Sequence, residues 1–299
     1  MIRYAIATLA LPLLIGAAAP AERVITVGTL ISTKVGGQSA RILVDPGAPS
    51  FALMSGELAT RAGLKAGPFG LNYLVGPVRV PGRTAVVRVD FGNGEEKKRI
   101  GWTERPFVPG IDGSVGPGGL KDDVVRFVLR GAQAGERDHV LPMVDGGGLL
   151  GGAAGLFAQV TIDGAPVRIR FDLRRRENLT TAGLAGTLAR VQDGRLADDR
   201  RLLPIVFGVE RPVRTLTLGR PLMIGPLAIT KIAARTTDFG NAEGIAKDGD
   251  TPDPDEVIVT AKGQRDRRGD RLTVGLDTLQ GCSSMTFDKL AKVIRLRCG

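Results

Sequence analysis

Apolar and polar positions alternate in short runs along most of this chain, and Gly, Pro, Asn or Asp interrupts each run, the pattern of strands joined by tight turns. Val24 to Thr33 alternates loosely and predicts a first strand, and Val35 to Val44 predicts a second that ends on Asp45. After a turn at Pro46–Ser50, Phe51 to Met54 resumes an apolar run. Ser55 to Leu64 changes period: a serine cap, helical spacing of apolar residues and a terminal glycine predict a short helix. Val75–Val80, Thr84–Phe91, Lys98–Trp102 and Val124–Leu129 read as strands, with an Asn93-Gly94 turn before Lys98. From Ile162 the order repeats: a strand to Asp172, a helix near Ala182–Val191, and strands around Leu203–Phe207, Val213–Leu218 and Leu227–Ala233. Leu272–Leu279 and a final hairpin, Met285–Phe287 with Val293–Leu296, complete the second half.

The repetition extends to residues. Val35 to Asp45 superposes on Ile162 to Asp172 without a gap, matching Gly37 to Gly164, Arg41 to Arg168, Ile42 to Ile169 and Asp45 to Asp172. A second echo sets Val115-Gly116-Pro117-Gly118-Gly119-Leu120 against Val274-Gly275-Leu276-Asp277-Thr278-Leu279. A duplicated chain with one carboxylate per half suggests a cleft in which two acids face each other, an arrangement suited to acid–base chemistry with a shared proton.

Composition supports an all-β reading: in 299 residues there are 42 Gly and 18 Pro but only 4% aromatics. Residues 1–21 read as a signal peptide, with Arg3, an apolar stretch from Ala5 to Ala18 and an Ala19-Pro20-Ala21 cleavage pattern. That stretch is shorter than the roughly 20 residues of a membrane span, so no transmembrane span is expected and the mature chain is periplasmic or secreted. In that compartment Cys282 and Cys298, on either side of the last hairpin, are expected to form a disulfide. The net charge of +10 is spread thinly, without a nucleic-acid motif, so no nucleic-acid partner is expected.

A single histidine, His139 in a polar stretch that reads as loop, excludes a His-rich metal site, and two cysteines exclude a Cys₄ zinc site. No Gly-x-Ser-x-Gly elbow is present for a serine hydrolase. The run Gly146 to Gly152 lacks the Lys-Ser/Thr of a phosphate loop. No metal and no cofactor is expected. The domain reading is a lobe over 22–142, a Gly-rich linker over 143–155, and a lobe over 156–299 with a mobile acidic and basic insertion near 240–270.

Leu43-Val44-Asp45-Pro46-Gly47-Ala48, followed by Asp112-Gly113-Ser114-Val115-Gly116, resembles the signature of the retropepsin- and pepsin-like aspartic proteases, here in an exported bacterial form. Val274 to Leu279 and Met285-Thr286-Phe287-Asp288 look like the matching end of a second lobe, so the resemblance covers most of residues 30–299. It implies a mostly-β fold of two pseudo-symmetric β-barrel lobes with short helices, a central cleft, and a covering flap at Asn72–Pro77. It also implies endopeptidase activity on a polypeptide, with Asp45 and Asp172 as a coupled dyad that activates a water, and with Gly47 and Ala48 forming the supporting turn.

The second motif is degenerate. Pro46 stands where the family has a bracing Thr or Ser, and Asp172-Leu173-Arg174-Arg175 lacks both hydroxyl and glycine. Arg170, Arg174 and Arg175 favour an ionised Asp172, which works against a shared proton. Two roles therefore stand open for Asp172, dyad partner and charge-paired structural residue; Asp45, likewise, is either a catalytic acid or the cap of its own turn. The alternative to an endopeptidase is an inactive relative that binds an extended peptide or a periplasmic partner. Asp255 to Lys262 resembles the TonB box, and its Val257-Ile258-Val259 strand is a candidate for pairing with such a partner by edge addition.

Overall fold

A computed structural model describes residues 21–146, 151–236, 238, 242, 245–247 and 269–299. The expected signal peptide apart from Ala21, the centre of the glycine run and most of the insertion, including the Val257–Val259 strand, lie outside the described residues.

The first half is a barrel with a hairpin beyond it. After β1 (Glu22–Thr26), β2 (Leu30–Val35) and β3 (Gln38–Val44) form a hairpin whose turn, Gly36-Gly37, takes φ of 55° and 84°, a region that favours glycine. β4 (Leu53–Ser55) leads into α1 (Gly56–Arg61), whose first turn is capped by Ser55 Oγ accepting from the Leu58 N–H at 3.1 Å. β5 (Gly70–Val75), β6 (Val78–Asp90), β7 (Glu96–Thr103) and β8 (Gly113–Val115) follow. The order β2-β3-β8-β4-β7-β6 is closed by pairing of β2 with β6, and β5 extends past β6 as a free hairpin arm.

β9 (Val124–Val128) and β10 (Arg137–Asp145) carry the chain across, and α2 (Gly151–Ala154) precedes the second half. There β11 (Leu156–Ile162), β12 (Ala165–Phe171), β13 (Leu179–Thr180), α3 (Ala182–Val191) and β14 (Arg195–Leu196) are followed by β15 (Arg201–Val206), β16 (Val209–Ile224), β17 (Leu227–Arg235) and β18 (Arg271–Val274). The order β11-β12-β18-β13-β17-β16, with β15 paired to β16, repeats that of the first half strand for strand. In both halves the strand ending at the aspartate runs parallel to the short strand carrying the echoed Val-Gly.

The halves are joined by a sheet in the order β1-β9-β19-β20-β10-β11, where β19 (Cys282–Asp288) and β20 (Val293–Cys298) are the final hairpin. Cys282 and Cys298 stand opposite each other in its register and are disulfide-bonded. Alternation places Ala40, Ile42 and Val44 of β3, and Val167, Ile169 and Phe171 of β12, inside. Each Val, Ile or Phe among them contributes about 1.5–3 kcal/mol. No helix of the described residues is long and apolar enough to cross a membrane.

Three local expectations are corrected. Val24–Thr33 is two strands, because Gly28 at φ 79° turns the chain between them. Val75–Val80 is a hairpin rather than a strand, because Gly76 at φ 62° reverses the chain before Pro77. His139 lies in β10 opposite Leu296, since pairing with β20 satisfies its backbone whatever the side chain's polarity.

Candidate active site

Each aspartate follows a buried strand and is anchored in the same way. The backbone N–H of Asp45 donates to Val115 O at 3.1 Å, and that of Asp172 donates to Val274 O at 3.1 Å. Each carboxylate then accepts from the N–H two residues on: Gly47 N to Asp45 Oδ1 at 2.7 Å, and Arg174 N to Asp172 Oδ1 at 3.1 Å. The backbone carbonyls of the same aspartates accept from Ala48 and Arg175 at 3.0 and 3.3 Å. Both turns are therefore self-capped Asx turns, built without the hydroxyl that Pro46 and Leu173 lack.

The structure brings Asp45 and Asp172 together. A Cβ on Gly47 would lie 2.8 Å from Asp172 Cγ and 2.8 Å from Asp45 Oδ1, so the close approach of the two turns requires glycine there. Asp45 and Asp172 are 3% and 5% exposed, and Ala48 is buried beside them. Gly116 and Gly275 pack against the backbone carbonyls of Ala48 and Arg176, which explains the echoed Val-Gly pairs as seats for the two turns.

Arg174 closes the centre. One guanidinium nitrogen lies 3.0 Å from Asp172 Oδ2, its Nε lies 3.5 Å from Asp45 Oδ1, and its carbon stands 4.9 Å from the centre of the Phe107 ring. One cation thus spans both carboxylates while stacked on an aromatic face. Burial pushes the Asp45 carboxyl up and Asp172 adds to the effect; Arg174 and the Gly47 N–H offset part of it, leaving Asp45 at about 7. Burial alone would lower Arg174, but Asp172 and Asp45 outweigh it and hold it above its ordinary value. The other two arginines near Asp172 turn elsewhere: Arg175 donates to Pro204 O and Ile205 O at 2.9 and 3.3 Å, and Arg170 stacks on Phe157.

Two hairpins, one from each half, meet over this centre. Tyr73 of β5 packs edge-on against Phe207, between β15 and β16, with ring centres 4.9 Å apart, and Phe107 completes the group at 5.2 Å from Phe207. Leu53, Val75, Val80 and Val209 bury themselves around the three rings. The tip of the first hairpin is seated too: Gly76 lies directly on the carboxylate of Asp238, which pairs with Arg211 at 2.6 Å and Arg235 at 3.1 Å. The residues expected to form a flap, Asn72–Pro77, therefore do project from the first half and contact the second.

Sequence reasoning missed Tyr73, Phe107, Phe207 and Asp238. The available signal was scarcity: aromatics make up only 4% of the chain, and three of them converge here. An open groove of about 670 Å³ includes Lys34, Asp90 and Asp112, and a cavity of about 290 Å³ includes Leu196, Arg214 and Thr236; neither is lined by Asp45 or Asp172. Among the described residues no group of three or more His, Cys, Asp or Glu could hold a metal ion. No protein-family model matches this chain, and no curated protein matches it.

Proposed function

We propose that this chain is an exported aspartic-peptidase-like protein with two pepsin-like lobes, whose cleft takes an extended polypeptide and whose Asp45–Asp172 pair is held in a resting state by Arg174. The observation that carries the reading is the placement of two buried carboxylates, one from each repeated half, on a single guanidinium. The raised Asp45 supports it, because a carboxyl near neutrality beside a second carboxyl is what a shared proton requires. The disulfide fits export to an oxidising compartment.

In the working state one carboxylate takes a proton from water as the water oxygen attacks a peptide carbonyl, and the protonated partner donates to the carbonyl oxygen. Transfer of a proton to the amide nitrogen then breaks the C–N bond. In the resting state Arg174 occupies the oxygens of Asp172 and Asp45 that would hold the water. Cleavage then requires Arg174 to swing away and the Tyr73–Phe207 contact to part.

A second reading, a peptide binder that does not cleave, is favoured by the same salt bridge, since a guanidinium bridging both acids opposes a shared proton. The test is digestion of denatured protein from about pH 3 to pH 8, the span over which ordinary and raised carboxyls titrate. Arg174→Gly, which restores a glycine to the second turn, is expected to cleave faster than wild type, and adding Asp45→Asn is expected to abolish the cuts. A folded Arg174→Gly variant that cuts nothing at any pH overturns the peptidase reading in favour of the binder.

A further inference from the structure

Strand alternation puts Arg168 and Arg170 on one side of β12, opposite the buried Val167, Ile169 and Phe171, and Asp172 follows directly after the strand. Arg271 of β18 stands in register with Arg168 and joins them on that side. The guanidinium carbons of Arg170 and Arg271 lie 5.2 and 5.5 Å from the centre of one ring, Phe157. Two like charges thus crowd one aromatic ring beside the candidate active site.

Their charge is not balanced. Among the described residues no carboxylate forms an ion pair with Arg170 or Arg271, while Asp172 is taken by Arg174 and Asp238 by Arg211 and Arg235. The Nε atoms of Arg271 and Arg235 are buried without an acceptor, and Arg235 is only 9% exposed. Burial, then Arg170, pushes Arg271 down to about 10, although nearby Tyr73 pulls it the other way. Burial would raise the Tyr73 phenol, yet Arg170 and Arg271, with Arg174 nearby, hold it below the usual phenol range. The Tyr73 hydroxyl reaches into the cluster from the opposite half. Leaving half-buried cations unpaired is costly, and an oxyanion offering two acceptor atoms removes that cost.

We propose that Arg170 and Arg271, backed by Arg235 and capped by Tyr73, form a subsite for the carboxylate of an acidic side chain in the polypeptide that occupies the cleft. This assignment rests on the peptide-cleft reading above; it adds that the ligand is acidic beside Asp172. Guanidinium forks match a carboxylate with two parallel hydrogen bonds, which a neutral amide of the same shape does not reproduce.

Two arms test it on the full chain. In the first, a Glu-containing peptide and its Gln counterpart are titrated against wild type and Arg271→Met. The acidic peptide is expected to bind about tenfold tighter to wild type, the scale of one charge-assisted hydrogen bond, with the preference lost in the variant. In the second arm Tyr4→Phe leaves Tyr73 as the sole tyrosine, so its phenolate absorbance is followed with acetate or inorganic phosphate added. Either anion in the cluster is expected to raise the Tyr73 titration midpoint, and to leave it unmoved in Arg271→Met. A response to phosphate alone would replace the acidic peptide with a free inorganic anion and overturn the assignment.

Arg271→Met serves as its own folding control, since removing a half-buried cation that has no carboxylate partner is expected to leave the melting temperature equal or higher. A structural arginine would lower it. Equal affinity for the Glu and Gln peptides, or a Tyr73 titration indifferent to acetate, overturns the subsite while leaving the peptide cleft intact. Failure of every peptide to bind overturns the cleft reading instead, and the Tyr73 response to acetate then decides the carboxylate subsite alone.

Discussion

Gly47 stands so close to Asp172 that a single added carbon would lie 2.8 Å from its Cγ. The two loops therefore meet with no room for a side chain. Gly47→Ala is expected to force the turns apart and to cost about 1–3 kcal/mol, the usual penalty of overpacking. Urea denaturation measures it, and an unchanged midpoint would show that the turns are not in contact.

Asp45 provides a pH signature. Its folded value of about 7 lies above the ordinary 3.8, so between those values the folded state holds a proton that the unfolded state has released. Stability is expected to fall as pH rises through that window, by up to about 4 kcal/mol at 1.36 kcal/mol per unit. In Asp45→Asn this part of the pH dependence should vanish; a variant tracking the wild-type curve would place the sensitivity on another group.

Phe207 ties the second hairpin to the first. Truncation in Phe207→Ala removes a side chain that is 1% exposed and touches both Tyr73 and Phe107. A loss of about 3–5 kcal/mol is expected. Hydrogen exchange should speed up in both hairpins, at 70–80 and at 201–211. Faster exchange confined to 201–211 would mean that the first hairpin closes without the aromatic contact.

The Cys282–Cys298 bridge closes a loop with a sequence separation of 16 and pins the end of the central sheet. Replacing both cysteines with serine should lower stability by about 3 kcal/mol on the chain-entropy account. Thermal unfolding with and without reductant checks this: wild type should respond to reductant and the double variant should not.

Much of the architecture was legible because strands and tight turns are local. Period-two runs ending on Asp45 and Asp172, and the echo of Val115-Gly116 in Val274-Gly275, mark in each half the segments that the structure pairs in parallel as β3–β8 and β12–β18, although the pairing itself was not legible. Ser55 and the spacing behind it anticipate α1 for the same reason, since a cap acts within one turn. Breaks were less legible. Gly28 and Gly76 take positive φ, whereas other glycines in the same kind of run do not, and the choice depends on which strands pair on either side.

The strand-rich composition of the fold, the duplication and the position of one acid at the end of a strand in each half were all legible along the chain. These follow from side-chain periodicity and turn chemistry over a few residues. Folding in three dimensions was needed to show that Arg174 spans both acids, that Tyr73, Phe107 and Phe207 meet above them, and that Arg170 and Arg271 share the Phe157 ring with no carboxylate partner among the described residues. An arginine beside an aspartate in sequence carries no direction. Its partner is chosen when two halves, folded from distant segments, are docked through the central sheet and their hairpins, and burial then sets how much each charge matters.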